Sequence, residues 1–325
     1  FRDGAAKEYN YAAQRWSGDD SGEYAQISCF FSESAGFTED SADEIRYGII
    51  SALQDISIVQ EDGCRLCPDA YSAEVGQLTV TGSKTGSSES EITAVGGDFF
   101  TIHNFRLLDG AFFTDDDIMQ DGAVIDENLA WALFGSCEVS GMDITINGTQ
   151  FYVSGVVEAP QTEAETECAG ELPRAYISYE GASGFASGET DTESESATAA
   201  FKTVTCYEVL MPDPVEDFAY DTVSQLMEEY GEGVSVILNS GRFEPLKRLG
   251  ALKGISSAVV RSDSISYPYW ENASRIVEFR LSYIYLSAAF CLIIPAGTVI
   301  WLIARGMRKI HKKRKSRFKT KGLIL

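Results

Sequence analysis

Met142-Asp-Ile-Thr-Ile-Asn147-Gly148-Thr-Gln-Phe-Tyr-Val-Ser-Gly-Val-Val157 reads as two strands joined by a tight turn. Asn147-Gly148 fits a type I′ turn, which needs φ > 0 at both central residues. In that register Ile144 opposes Phe151 and Met142 opposes Val153, so one face of the hairpin is apolar throughout. Upstream, Asp126 caps a short helix, ENLAWALF, that buries Leu129, Leu133 and Phe134 and stops at Gly135. Gln77–Thr81 and Glu91–Val95 are short strands around the loop TGSKTGSSES. Residues 157–170 and 181–199, rich in Ser, Thr, Gly and Glu, read as long solvated loops.

Outside this strand-rich centre the period changes. Ala25–Phe31 is a strand, a helix follows from about Glu39, capped by Thr38 or Asp40, and Ile56–Val59 reads as a second strand. Ile45, Ile49 and Leu53 share one face of that helix. The order recurs late: strand Lys202–Met211, the turn MPDP, helix Val215–Tyr230 and strand Val234–Leu238. Two β-α-β units at either end of an insertion predict an α+β fold.

Charge divides the chain. The net charge is −23, yet ten basic and no acidic residues fall between Arg305 and Lys321, which leaves residues 1–304 at −33. The two regimes meet at Leu281–Ala304, LSYIYLSAAFCLIIPAGTVIWLIA, 24 residues without a charge. As a helix this run spans about 36 Å, enough for a hydrocarbon core of about 30 Å with some tilt. Tyr283 and Tyr285 near one end and Trp301 near the other fit interfacial aromatic belts. The positive-inside rule places residues 305–325 in the cytoplasm and residues 1–280 outside. Pro295 within the run predicts packing against other helices, which would satisfy the freed carbonyl. Glu271–Arg280, ENASRIVEFR, predicts a helical stalk leading into the membrane. Phe1–Trp16 reads as a helix with Tyr9, Ala12, Ala13 and Trp16 on one stripe. An acidic exported region with no visible signal peptide predicts a membrane helix before it.

Six cysteines fall in the acidic part: Cys29, Cys64, Cys67, Cys137, Cys168 and Cys206. An even number outside the cytoplasm permits three disulfides in fifteen pairings. Cys64-Arg-Leu-Cys67 has zinc or redox spacing, but no second such pair or nearby histidine accompanies it, so disulfides or free thiols are expected. Asp115-Asp116-Asp117 with Asp121 offers carboxylates for Ca²⁺ at a spacing unlike an EF-hand, and Thr114 followed by acids equally reads as a helix N-terminus. Gly82-Ser-Lys-Thr-Gly-Ser-Ser88 lacks the spacing of a phosphate-binding loop. His103 is expected in a turn, and neither G-x-S-x-G nor H-E-x-x-H occurs. Asn147-Gly-Thr and Asn272-Ala-Ser match a glycosylation acceptor pattern. Gly110 and Gly155 are assigned to tight backbone positions. No catalytic, cofactor-binding or metal-binding residue is assigned, no cofactor is expected, and the chain is not read as an enzyme.

Val95-Gly-Gly-Asp98-Phe99-Phe100 is followed by Leu107-Leu-Asp-Gly110-Ala-Phe-Phe113, then by Ala123-Val-Ile-Asp126-Glu-Asn-Leu-Ala130, Leu133-Phe-Gly135 and Gly141. With the hairpin ending Val153-Ser-Gly155-Val-Val157, this ordered set resembles the periplasmic core domain of MacB-type (FtsX/MacB superfamily) ABC transporter permeases, over roughly residues 90–160. The resemblance implies a domain inserted between the first two helices of a four-helix permease. Its porter-like α+β part would be 22–75 with 200–260, and its strand-rich inserted part 76–199. Around these lie a stalk helix at 1–21, a second stalk at 261–280, the membrane helix at 281–304 and a basic tail at 305–325.

The resemblance further implies a domain that does not hydrolyse ATP but is moved by a partner ABC ATPase, exporting or gating a substrate outside the bilayer. Expected partners are that ATPase, membrane lipid and a second permease copy, and no nucleic acid. Where permeases of this kind continue with an Arg-Glu-Ile-Gly-like coupling segment and two more helices, this sequence has basic residues and then Gly-Leu-Ile-Leu. The alternative reading, drawn from charge, is a membrane-anchored binding or sensor domain collecting cationic ligands such as antimicrobial peptides.

Overall fold

The computed structural model describes residues 11–18, 23–59, 65–83, 86–183, 185, 203–215, 217–245 and 265–321, the last with side chains to Arg308. The fold is α+β. After a short helix α1 (Ala12–Ser17), strand β1 (Tyr24–Phe31) is buried along nearly its whole length. Its alternate residues face two different cores: Ile27, Cys29 and Phe31 on one side, Phe30 on the other. Helix α2 (Glu39–Asp55) follows, and Thr38 rather than Asp40 caps it, in a reciprocal capping box with Ser41. Ile45, Ile49 and Leu53 form its buried stripe.

Strands β2 (Asp69–Gly82) and β3 (Ser87–Gly97) are much longer than Gln77–Thr81 and Glu91–Val95, which shrinks the predicted loop between them to residues 83–86. After them come α3 (Phe99–Ile102), β4 (Leu107–Gly110), β5 (Gly122–Asp126), α4 (Glu127–Phe134), β6 (Asp143–Ile146) and β7 (Thr149–Val157). Next are α5 (Glu163–Ala169), β8 (Arg174–Ser178), α6 (Tyr179–Ser183), β9 (Cys206–Pro212), α7 (Phe218–Leu226), β10 (Val234–Leu238) and the long helix α8 (Tyr269–Lys321).

The strand pairing makes two parts out of one sheet. On one side the order is β10-β1-β9-β2, antiparallel. On the other, β2-β3-β8-β5-β7 continues the sheet, and β6 pairs with both β7 and β2, which closes a ring of six strands. Closure leaves those strands without free edges. Helix α4 touches β2, β3, β5, β7 and β8 and so fills the ring from one end. β2 belongs to both parts: Asp69–Ser72 pair with β9, and Val80–Gly82 pair with β6. Between these stretches the β2–β3 register shifts at Glu74/Gly76, where Gly76 adopts φ 100°.

The β6–β7 hairpin has the register read from sequence, with Ile144 opposite Phe151, and Asn147 and Gly148 at φ 49° and 81°. Val153 exchanges bonds with Met142 O and Gly141 N. Gly110 and Gly155 face each other across β4 and β7, and a Cβ on Gly110 would sit 2.2 Å from Ser154 O.

Several expectations need correction. Ile56–Val59 is not a strand: the chain turns after α2, with Ser57 at φ 66°, and three of these four residues are solvent-exposed. The late helix begins at Phe218 and ends at Leu226, and the 3₁₀ segment that follows, Glu228–Gly233, is kinked at Gly231, whose backbone is non-helical. The stretch 157–170 is not all loop, since Thr162 and Glu165 form a capping box that starts α5. Tyr9, Cys64 and most of 181–199 lie outside the described residues. The described cysteines are free thiols, and Cys29 and Cys206 point into opposite cores.

Candidate functional site

The polar and apolar contacts that set this structure apart converge on the first turns of α8. Trp270, Ala273, Val277 and Leu281 recur at spacings of three and four residues, so one helical stripe is apolar. That stripe is buried in the second core, beside Ala12 and Ala13 of α1, Phe30 of β1, Leu210 of β9 and Phe99 of α3. Burying each large side chain is worth about 1.5–3 kcal/mol. Farther along, α8 carries a stretch long and apolar enough to cross a membrane.

Charged residues next to this stripe point inward too. Glu271, Arg275 and Glu278 follow at four- and three-residue steps. Arg242, in the turn after β10 and only 7% exposed, reaches Glu271 with Nη1 and Nη2 at 2.8 and 2.9 Å. Its Nε and Nη2 also reach Glu278 Oε2 at 3.0 and 2.9 Å. Burial opposes the charge of Arg242, but the two carboxylates outweigh it and raise its pKa above the usual arginine value. Arg275 bonds Glu271 at 2.8 Å while its guanidinium lies 3.5 Å from the centre of the Tyr267 ring.

From Arg242 a chain of hydrogen bonds runs through the sheet. Arg242 donates to Asn239 Oδ1 at 3.1 Å, Asn239 Nδ2 donates to Ser28 Oγ at 2.7 Å, and Ser28 donates to Glu208 Oε1 at 2.7 Å. Glu208 Oε2 lies 2.6 Å from His103 Nε2, at the C-terminal end of α3. Burial works to raise the Glu208 carboxyl, but the charge and hydrogen bond of His103, with the Ser28 bond, hold it below the usual range. The His103 ring in turn sits edge to face with Trp270 at 4.9 Å.

A second grip comes from the ring of strands. Arg280 of α8 pairs with Glu163 and Glu167 of α5 at 3.0 and 3.2 Å. The Arg174 guanidinium lies 4.2 Å from the centre of the Tyr269 ring, and the Tyr176 and Tyr269 hydroxyls are 2.9 Å apart. Between the two grips opens a cleft of about 320 Å³, lined by His103, Phe105, Asp126, Arg174, Tyr269 and Trp270 among others. Asp126 caps α4 through Leu129 N at 2.7 Å and also accepts from Arg174 N at 3.0 Å. Burial pushes its pKa up to about 6 despite both bonds.

The sequence-nominated carboxylates lie elsewhere. Asp115 accepts from Gly97 N at 2.6 Å and Asp117 from Thr114 N at 3.1 Å. Among the described residues no three metal-ligating side chains gather. His103 lies in the bend just after α3, in keeping with the turn expected for it, and its partner Glu208 was not foreseen. Arg242 and the Glu271–Glu278 pair were also missed, although three charges hugging the apolar stripe of a stalk were a readable signal.

Comparison with known proteins agrees with the ordered motifs. A 73-residue stretch is 37% identical to the macrolide export ATP-binding/permease protein MacB of Nitrobacter winogradskyi, spanning 22% of this chain and 11% of that relative. The extracellular domain of the noncanonic ABC-type transporter YknZ from Gram-positive bacteria aligns at 15% identity and a TM-score of 0.43, over 65% of this chain and 99% of that one. The periplasmic region of MacB from Actinobacillus actinomycetemcomitans aligns at 15% identity and a TM-score of 0.46, over 71% and 92%. The family description "MacB-like periplasmic core domain" matches residues 20–211, more than half of the chain. By that match the chain belongs to the MacB-like periplasmic core domain family.

Proposed function

We propose that this chain is the permease subunit of an ABC transporter, whose extracytoplasmic domain is moved by a partner ATPase to export or gate a substrate outside the bilayer. The observation that carries this reading is the double grip on the root of α8: Arg242 from the sheet and Arg174 with α5 from the ring. A helix held on two sides cannot tilt without moving both parts. The reading needs no chemistry in the domain, so the chain acts as a mechanical part and not as an enzyme. Residues 1–280 are assigned outside the membrane and 305–325 to the cytoplasm, where the basic tail meets anionic lipid. The porter-like part is assigned to 22–75 with 200–260 and the inserted part to 76–199, a division that falls inside β2. A second permease copy is a further proposed partner.

The test is isolation of the full-length protein from its own cells in mild detergent, with mass spectrometry of what accompanies it. A nucleotide-binding ATPase in stoichiometric amount is expected. An intact complex without one would favour the second reading, a tethered binding domain for cationic ligands, for which the charge of −33 over residues 1–304 speaks. That reading in turn requires cation binding to weaken steeply with salt.

A further inference from the structure

Between β4 and β5 the chain runs Thr114-Asp-Asp-Asp-Ile118-Met119-Gln120-Asp121. Ile118 is 97% exposed and Met119 76%, whereas Gln120 beside them is 9% exposed. Two large apolar side chains held together in water add nothing to the core, and such exposure in a folded protein points to a contact surface.

This loop is built rather than slack. Gln120 Nε2 donates to Asp117 O at 2.6 Å and Asp115 O at 2.9 Å, while its Oε1 accepts from Ser178 Oγ. Gln120 holds φ 50°, a conformation uncommon outside glycine. The Asp115 carboxylate ties the loop to β3 through Gly97 N at 2.6 Å. Gly181 of α6 approaches so closely that a Cβ there would lie 2.1 Å from Gln120 O. Clamped from within, the loop presents Ile118 and Met119 with much of the ordering entropy of a contact already spent. It also leads into the end of β5 opposite Asp126, away from the cleft at the root of α8.

We propose that Ile118 and Met119 form a docking knob for a protein partner that offers an apolar socket rimmed by lysine or arginine. Asp116, Asp117 and Asp121 flank the knob, so a basic rim is the electrostatic complement. A second copy of this chain would bring the same aspartates and the same large negative charge to the contact. An anionic bilayer would be repelled likewise. The inference goes beyond the transport reading and does not depend on it.

The test places p-benzoylphenylalanine at position 118 of the full-length chain in its own cells, with the exposed Tyr47 position as control. Photo-adducts are mapped by mass spectrometry to the crosslinked peptide. The expected result is one protein, crosslinked through a segment that carries apolar residues beside Lys or Arg, at a yield several-fold above the control. That yield should fall with Met119→Ser, with Asp116→Lys and at high salt, and with Gln120→Leu, which frees the loop but leaves the knob. Adducts to lipid, to a second copy or to a segment without basic residues would overturn the proposal. So would equal yields from positions 118 and 47.

Discussion

Arg242 and Glu271 meet in a two-pronged pair, Nη1 to Oε2 at 2.8 Å and Nη2 to Oε1 at 2.9 Å, with side chains 6% and 3% exposed. One partner leaves the sheet after β10, and the other lies in the first turn of α8. Removing only one of them strands the other charge in a dry site.

Arg242→Ala should therefore destabilise the protein by about 3–5 kcal/mol, measured by thermal or denaturant unfolding of the full chain in detergent. Arg242→Lys keeps the charge but not the fork, and should recover part of the loss. The double variant Arg242→Met, Glu271→Gln should be milder than Arg242→Ala alone. A single variant within about 1 kcal/mol of wild type, by the same measurement, would mean the clamp does not hold the helix.

The Glu208 carboxyl is held below its ordinary value near 4.5 by His103 and Ser28, against its burial. A depressed carboxylate adds stability that is present above that ordinary value and is lost as the pH falls through its folded value. Wild type should thus lose stability on acidification below about pH 4.5 more steeply than Glu208→Gln does. Parallel curves for the two proteins would contradict the assignment.

Asp126 carries the opposite sign. Burial raises it from 3.8 to about 6, so its contribution is full below pH 3.8 and is lost as the pH rises through about 6. Relative to Asp126→Asn, wild type should weaken by about 2–3 kcal/mol between about pH 3.5 and 7. Denaturation midpoints of both proteins across that range check it.

Gly148 stands at φ 81°, and a Cβ added there would meet nothing within 4 Å, so its substitution meets only backbone resistance. Gly148→Val should cost about 1–3 kcal/mol, since a β-branched residue resists φ > 0. Gly110→Ala should cost more than Gly148→Ala, because its Cβ would sit 2.2 Å from Ser154 O as well as at φ 73°. Melting temperatures of the alanine pair in the reverse order would refute the contact at Gly110.

Local signals carried much of this fold. Asn147-Gly148, Asp126 and Gly135 each act within a few residues, and each turned up where its chemistry put it. Ile56–Val59 failed because a short apolar run cannot announce whether the chain reverses, and Ser57 takes a positive φ that no pattern revealed. Closure of the strand ring was also invisible, since β6 meets β2 across more than sixty residues. The site was least legible. Glu208 looks like an interruption in an apolar strand until His103, a hundred residues earlier, is seen beside it.

The sharing of β2 has a consequence for motion. One strand of 14 residues runs from the sheet into the closed ring without a linker, a length of about 46 Å at 3.3 Å per residue. It works like a drive shaft keyed into two gears. A turn imposed at one end meets no break in the strand beyond the bulge at Gly76, and with that bulge held rigid a swing of about 10° would carry the far rim through about 8 Å over that length. The one soft point along this shaft is the bulge at Gly76, and stiffening or loosening that residue would set the gain of the whole lever.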